Sequence, residues 1–206
     1  AVWDRGGVNF SEVEGEATQA LKAQMNTDAE RFWAAGVSLV LHPANPHVPI
    51  VHMNVRHFAL SDGTCWFGGG IDLTPHYVNP EEATQFHRVL QGVCEAHSCG
   101  RYQEFKEEAD RYFFLPHRNE TRGVGGIFFD HLGRDGASRE ELGALKAFVR
   151  DVGDSFLPAY LPIVKANVGR PFEASEREWQ LHRRGRYAEF NLVWDRGTRF
   201  GLVSNG

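Results

Sequence analysis

The sequence predicts an α+β fold, a large and mostly antiparallel β-sheet flanked by α-helices. Three observations point there. Strand-like runs with period-two alternation fall in neighbouring groups, and segments with helical periodicity fall in other groups, without strict βαβ alternation. Helix-capping signals open the helical segments, and Gly- or Pro-rich turns close the strands. No linker, repeat or low-complexity tract divides the 206 residues, so they read as a single domain.

From Gly36 to Leu60, two β-like segments flank the Pro-rich turn running from His42 to Pro49. Cys65 to Phe67 reads as another strand and runs into Gly68-Gly69-Gly70. Asn79 has the character of an N-cap, with Pro80 at the first helical position and Glu81 and Glu82 in the first turn of a helix reaching about His97. Tyr102, Phe105, Ala109 and Tyr112 recur with helical spacing and mark the next helix. After a loop from Pro116 to Gly126 comes the strand Ile127 to Asp130. Ser138-Arg139-Glu140-Glu141 is a capping box for a helix through Phe156, which Pro158 ends or kinks. Ser175 to Glu178 forms a second capping box, with Gly185 as the stop of its helix. Arg186 to Trp194, the turn Asp195-Arg196-Gly197 and Arg199 to Val203 read as a β-hairpin.

Composition excludes several classes of function. Lys+Arg 22 against Asp+Glu 27 gives a net charge of −5, which is unsuited to general nucleic-acid binding. No apolar run approaches the length of a bilayer span or a secretory leader. Aromatic residues at 12% supply enough burial to exclude disorder. Among the cations there are 18 Arg and 4 Lys. A GC-rich genome accounts for such an excess on composition alone, although Arg forks also grip anionic small molecules. Cys65, Cys94 and Cys99 form no paired framework and no CxxC, as expected of a reducing compartment and not of a thiol enzyme. The chain opens at Ala1 without a Met and stops at Gly206 straight after a strand-like run. The expectation is the central portion of a longer chain, lacking N- and C-terminal segments.

Alternation places Val51, Met53 and Val55 on one side of a strand and His52, Asn54 and Arg56 on the other. In the partner segment Ser38 and His42 oppose Val37, Leu39 and Leu41. Folded as an antiparallel pair, the two present Ser38, His42, His52, Asn54 and Arg56 as one patch. A solvated outer face usually carries Lys, Glu and Thr, so this patch is read as functional. The three glycines ahead of Asp72 let a backbone or a flat ligand approach closely, which would present Asp72 at the mouth of the sheet. No Lys and no helix follow them, so this is not a phosphate loop. His42, His52, His87 and His117 suit a metal in type, but their spacing is not a known ligand pattern.

Several runs resemble oxygen-dependent coproporphyrinogen III oxidase: Gly36 to Pro43, His52 to Arg56, Trp66 to Pro75, His117 to Glu120, Gly125 to Asp130 and Arg183 to Trp194. They stand in the family's order and cover nearly the whole chain. The resemblance implies oxidative decarboxylation of two propionates of coproporphyrinogen III to vinyl groups, giving protoporphyrinogen IX in haem biosynthesis. It implies O2 as co-substrate, no organic cofactor, a homodimer, and a sheet between helices. By the family's motifs His52 matches the proton donor. Ser38, Asn54, Val55 and Arg56 match substrate-binding positions, and Asn205 and Gly206 begin another. Asp72 matches the Asp proposed to engage pyrrole NH groups. His42, His52, His87 and His117 match positions given to a divalent metal, Mn or another, in some bacterial members.

On this resemblance, Asp72 would bind or deprotonate a pyrrole NH, Arg56 would fix the propionate to be lost, and His52 would donate a proton to a peroxide-like intermediate. The chain departs from the family in its Asp130-His131, where Asp-Asp is common, and in ending before the Arg expected after Gly206. A tetrapyrrole-binding fragment without catalysis and a His-rich metal hydrolase remain as alternative readings. No membrane span or nucleic-acid partner is expected. The compartment expected is the cytoplasm, or the mitochondrion if a targeting peptide precedes this segment.

Overall fold

The computed structural model describes residues 1–198 and Leu202. In chain order the elements are β1 (Trp3–Glu16), α1 (Gln19–Met25), β2 (Arg31–Pro43), β3 (Ile50–Leu60), β4 (Cys65–Thr74), α2 (Pro80–Glu95), α3 (Tyr102–Tyr112), β5 (Phe114–Leu115), β6 (Glu120–Thr121), β7 (Gly125–Leu132), α4 (Arg139–Asp154), α5 (Phe156–Asn167) and α6 (Ala174–Val193). β1, β2, β3, β4 and β7 form one antiparallel sheet in that order, and β5 pairs with β6. This is the α+β arrangement the sequence predicts. β1 and α1 lie in the stretch that the sequence reading left unassigned.

Period-two alternation decides the two faces of the sheet. Leu39, Met53, Ile71 and Ile127 stand in one cross-strand row and belong to the main core, where α2, α4 and α5 contribute Phe86, Leu90, Phe148, Val152 and Ile163. Burial of aromatic and branched side chains on this side, each worth about 1.5–3 kcal/mol, holds the helices to the sheet. Caps set the helix starts as expected. Asn79 accepts from the backbone N–H of Glu81 and Glu82, and Ser138 and Glu141 form a reciprocal capping box at α4. Between α4 and α5 the chain breaks at Ser155, so Pro158 lies in the first turn of α5, where its missing N–H costs nothing.

The first strand expected of a C-terminal hairpin is helix instead. Arg186 to Val193 continue α6, Gly185 lies inside that helix, and its capping box is made by Glu173 and Glu176 rather than by Ser175. Ala188, Phe190, Leu192 and Trp194 do alternate in sequence, but the residues actually buried are Gln180, Tyr187 and Phe190, at helical intervals. Arg199, Val203, Asn205 and Gly206 lie outside the described residues.

α6 runs across the second face of the sheet at the end where β2 turns toward β3. Gln180, fully buried, donates from Nε2 to the carbonyl of Pro43 at 2.9 Å, and Trp179 donates to the carbonyl of His76 at 2.9 Å. Phe190 joins Ala109, Phe113, Leu115 and Phe128 in a smaller cluster beneath it. The second face is therefore closed at one end and open at the other. Among the described residues no helix is long and apolar enough to cross a membrane.

Candidate active site

Cross-strand register assembles the polar face row by row. Asn9, Ser38, Asn54, Gly70 and Phe128 are opposed in one row, and Gly7, Val40, His52, Asp72 and Gly126 in the next. Gly36, Arg56 and Gly68 form a third. The structure thus brings Ser38, His42, His52, Asn54, Arg56 and Asp72 to a single face, with His42 and Asp72 under α6 and the others toward the open end.

His52 stands at the boundary between the two ends. Its Nδ1 lies 2.9 Å from Asp72 Oδ1, and its ring meets the edge of Phe113. Asp72 is 2% exposed and its second oxygen accepts from Arg122 Nη2 at 2.7 Å. Burial alone would raise this carboxyl, but the Arg122 charge and the His52 contact outweigh it and hold Asp72 below the usual carboxylate range. An ionised Asp72 makes His52 Nδ1 the donor of their hydrogen bond. With both oxygens engaged inside the protein, Asp72 stands behind His52 and not at the mouth of the sheet.

Arg122 was not singled out from the sequence. It sits in the loop between β6 and β7 with its guanidinium carbon 4.2 Å from the ring centre of Phe113, 4.3 Å from Tyr187 and 4.8 Å from Phe190. Nothing local distinguishes it from the other arginines, because its partners come from β4 and α6. Asp130 was missed as well, although Gly126, Phe128 and Asp130 alternate with the core residues Ile127 and Phe129. Asp130 forms an ion pair with Arg56, Oδ2 to Nη2 2.9 Å, while Arg56 Nη1 donates to Asn54 Oδ1 at 2.8 Å. A charged fork is thereby held flat over the open end of the sheet. His131 points elsewhere: its backbone has φ 56°, and its ring stacks on Trp66.

Val55 faces the helical side, with its side chain toward Gly153, so only its backbone borders the polar face. Nor do the four histidines form one donor set. His42 lies edge-on to Tyr187 under α6, and burial, aided by Arg184 and Arg122, depresses its pKa to about 4. His87 is on α2, with its two ring nitrogens 2.9 Å from Tyr102 Oη and from the Val124 carbonyl. His117 is bound between Glu189 and Trp194. Among the described residues no group of three or more His, Cys, Asp or Glu could hold a metal ion. The residues present do not fit the metal that the resemblance implies.

A cavity of about 920 Å³ lies along the outer edge of β7. It adjoins the polar face through Phe128 and Asp130 and is bordered by Arg101, Arg111, Arg134 and Arg196, but excludes His52 and Arg56.

Compared with known families, residues 1–206 match the sequence model described as coproporphyrinogen III oxidase. The chain belongs to that family. Membership carries a coproporphyrinogen substrate and a role in porphyrin biosynthesis. For a coproporphyrinogen III oxidase the open end of the sheet has suitable chemistry, since its substrate is a flexible macrocycle with four carboxylates and Arg56 offers a pre-oriented carboxylate fork.

Proposed function

We propose that this face carries out the oxygen-dependent oxidative decarboxylation of two propionates of coproporphyrinogen III to vinyl groups, giving protoporphyrinogen IX. The observation that carries the reading is the presence on one face of the Arg56 fork, braced by Asn54 and Asp130, and, on the far side of the Asn54 row, a histidine oriented by a buried carboxylate.

Each propionic acid loses CO2 and becomes a vinyl group, releasing two electrons and two protons. O2 takes up both as hydrogen peroxide, so one O2 is consumed per vinyl formed. The porphyrinogen ring is electron-rich and supplies the electrons itself, which leaves the protein to orient and to move protons. Arg56 fixes the carboxylate that departs, and Ser38 and Asn54 line the approach. His52 keeps Nδ1–H on Asp72, takes up at Nε2 a proton released by the propionic acid, and delivers it from Nε2 to reduced oxygen. Asp72 acts through His52, because it is buried with its oxygens turned to His52 and Arg122, out of reach of a pyrrole NH. The active species is a homodimer, the compartment the cytoplasm, and O2 the co-substrate with no organic cofactor.

Anaerobic loading of the complete natural protein with coproporphyrinogen III, followed by air and chromatography of the oxidised porphyrins, tests this. The expected sequence is tetracarboxylate, tricarboxylate, then dicarboxylate, with hydrogen peroxide matching vinyl groups one to one. Persistence of the tetracarboxylate overturns the proposal.

A further inference from the structure

We infer that Arg122 is a positioning residue for His52, acting through Asp72: it fixes the carboxylate so that the imidazole keeps its Nδ1–H on Asp72 and turns Nε2 toward the open end of the face. This rests on the proposed role of His52.

The side chain of Arg122 is 3% exposed, as is that of Asp72, and the two meet at 2.7 Å. A second anchor, Nη1 to Asn191 Oδ1 at 3.1 Å, comes from α6, and the backbone N–H of Arg122 donates to the Phe113 carbonyl at 2.9 Å. Phe113, Tyr187 and Phe190 enclose the guanidinium. The charged and titratable groups around it are Asp72 from β4, Tyr187 from α6, Asp195 beyond α6, and His42 from β2.

Packing does not explain this arrangement. Apolar residues of the same volume usually serve stability as well as a buried ion pair, while one charge left without its partner is costly. Both Nη atoms of the fork are anchored, to Asp72 and to Asn191, and among the described residues Nε has no hydrogen-bond partner. That orientation leaves a single Asp72 oxygen for His52. A carboxylate held at one oxygen only could rotate, and the imidazole would follow it or flip. Two fixed hydrogen bonds in series, Arg122 to Asp72 and His52 to Asp72, remove that freedom.

The test is nitrogen NMR of the complete natural protein labelled with ¹⁵N-histidine, with the His52 signal assigned by its loss in His52→Gln, together with steady-state kinetics. Wild type should show His52 as the Nδ1–H form. Arg122→Met should mix the two ring forms and lower kcat about tenfold or more, with KM for coproporphyrinogen within about twofold, because Arg122 does not touch substrate. Arg122→Lys should restore the Nδ1–H signal and part of kcat. Asn191→Leu, which removes only the second anchor, should broaden the His52 signal in a protein that still folds.

An unchanged His52 signal in folded Arg122→Met overturns the inference, as does a lost kcat with the signal intact. If Arg122→Met fails to fold, an unchanged His52 signal in Asn191→Leu overturns it instead. The NMR arm needs no turnover, so an altered signal in a protein inactive as wild type counts against the proposed function and leaves the positioning role standing.

Discussion

The guanidinium of Arg56 lies directly over Gly68. A β carbon at residue 68 would stand 2.8 Å from Arg56 Nη2, 2.9 Å from Cζ and 2.7 Å from Asp130 Oδ1. The missing side chain is what lets the arginine cross β4 to reach Asp130 on β7. Gly68→Ala is therefore expected to displace the fork without unfolding the sheet, because the atoms in the way are the ends of flexible side chains. KM for coproporphyrinogen should rise about tenfold, in keeping with the loss of a charge-assisted hydrogen bond, while thermal stability falls by about 1 kcal/mol or less. Kinetics and thermal unfolding measured on the same preparation check both halves.

Phe190 is fully buried and links α6 to Phe113 and to the Arg122 guanidinium. Phe190→Ala should cost about 3–5 kcal/mol of stability. It should also lower kcat by loosening Arg122, whereas a smaller change such as Phe190→Leu should keep most of both. Denaturant unfolding read beside turnover distinguishes a packing loss from a local one.

Glu189 clamps the loop after β5 onto α6. Arg118 donates to its two oxygens at 2.6 and 2.9 Å, and His117 Nε2 lies 2.8 Å away. The Arg118 and His117 hydrogen bonds hold the Glu189 carboxyl at about 2, below its ordinary 4.5. A depressed carboxyl stabilises fully above pH 4.5, and the contribution is lost as pH falls toward 2. Glu189→Gln should speed amide hydrogen exchange across residues 116–122 at neutral pH, and acidification of the wild type through that window should lower the protection of the same amides relative to their intrinsic exchange rate at each pH.

His42 and His76 are both held neutral, mainly by burial, at about 4 against an ordinary 6.5. The unfolded chain takes up these protons first as pH falls, so folding stability is complete above pH 6.5 and declines between pH 6.5 and 4. Each histidine contributes a slope of at most about 1.4 kcal/mol per pH unit. Urea unfolding from pH 7 to 4.5 should show this decline, and His76→Gln should make it shallower.

The open face was legible because alternation in Val51 to Arg56 and in Val37 to His42 commits each side chain to a side of the sheet before any contact is known. Asn79 and Ser138 declared their helices through local hydrogen bonds, which need no tertiary partner. The segment Arg186 to Trp194 misled for the complementary reason. Its apolar residues fit a strand's period, and only the surface it covers, with Phe113 and Phe128 on one side and the Pro43 carbonyl on the other, makes the helical stripe through Gln180, Tyr187 and Phe190 the buried one.

Sequence by itself determined the α+β class, the order of most elements, and the chemical character of the face bearing Ser38, His52, Asn54 and Arg56. These depend on periodicity and on caps, which act between residues a few positions apart. Tertiary structure alone decided that Asp72 is enclosed rather than presented, that Arg122 and Asp130 brace it and Arg56, and that His87 and His117 stand apart from His52. Such roles are set by burial and by pairings across 50 residues between Asp72 and Arg122, and across 74 between Arg56 and Asp130. A charge buried at close range is governed by its nearest partner in space, and no local pattern in the chain records which residue that will be.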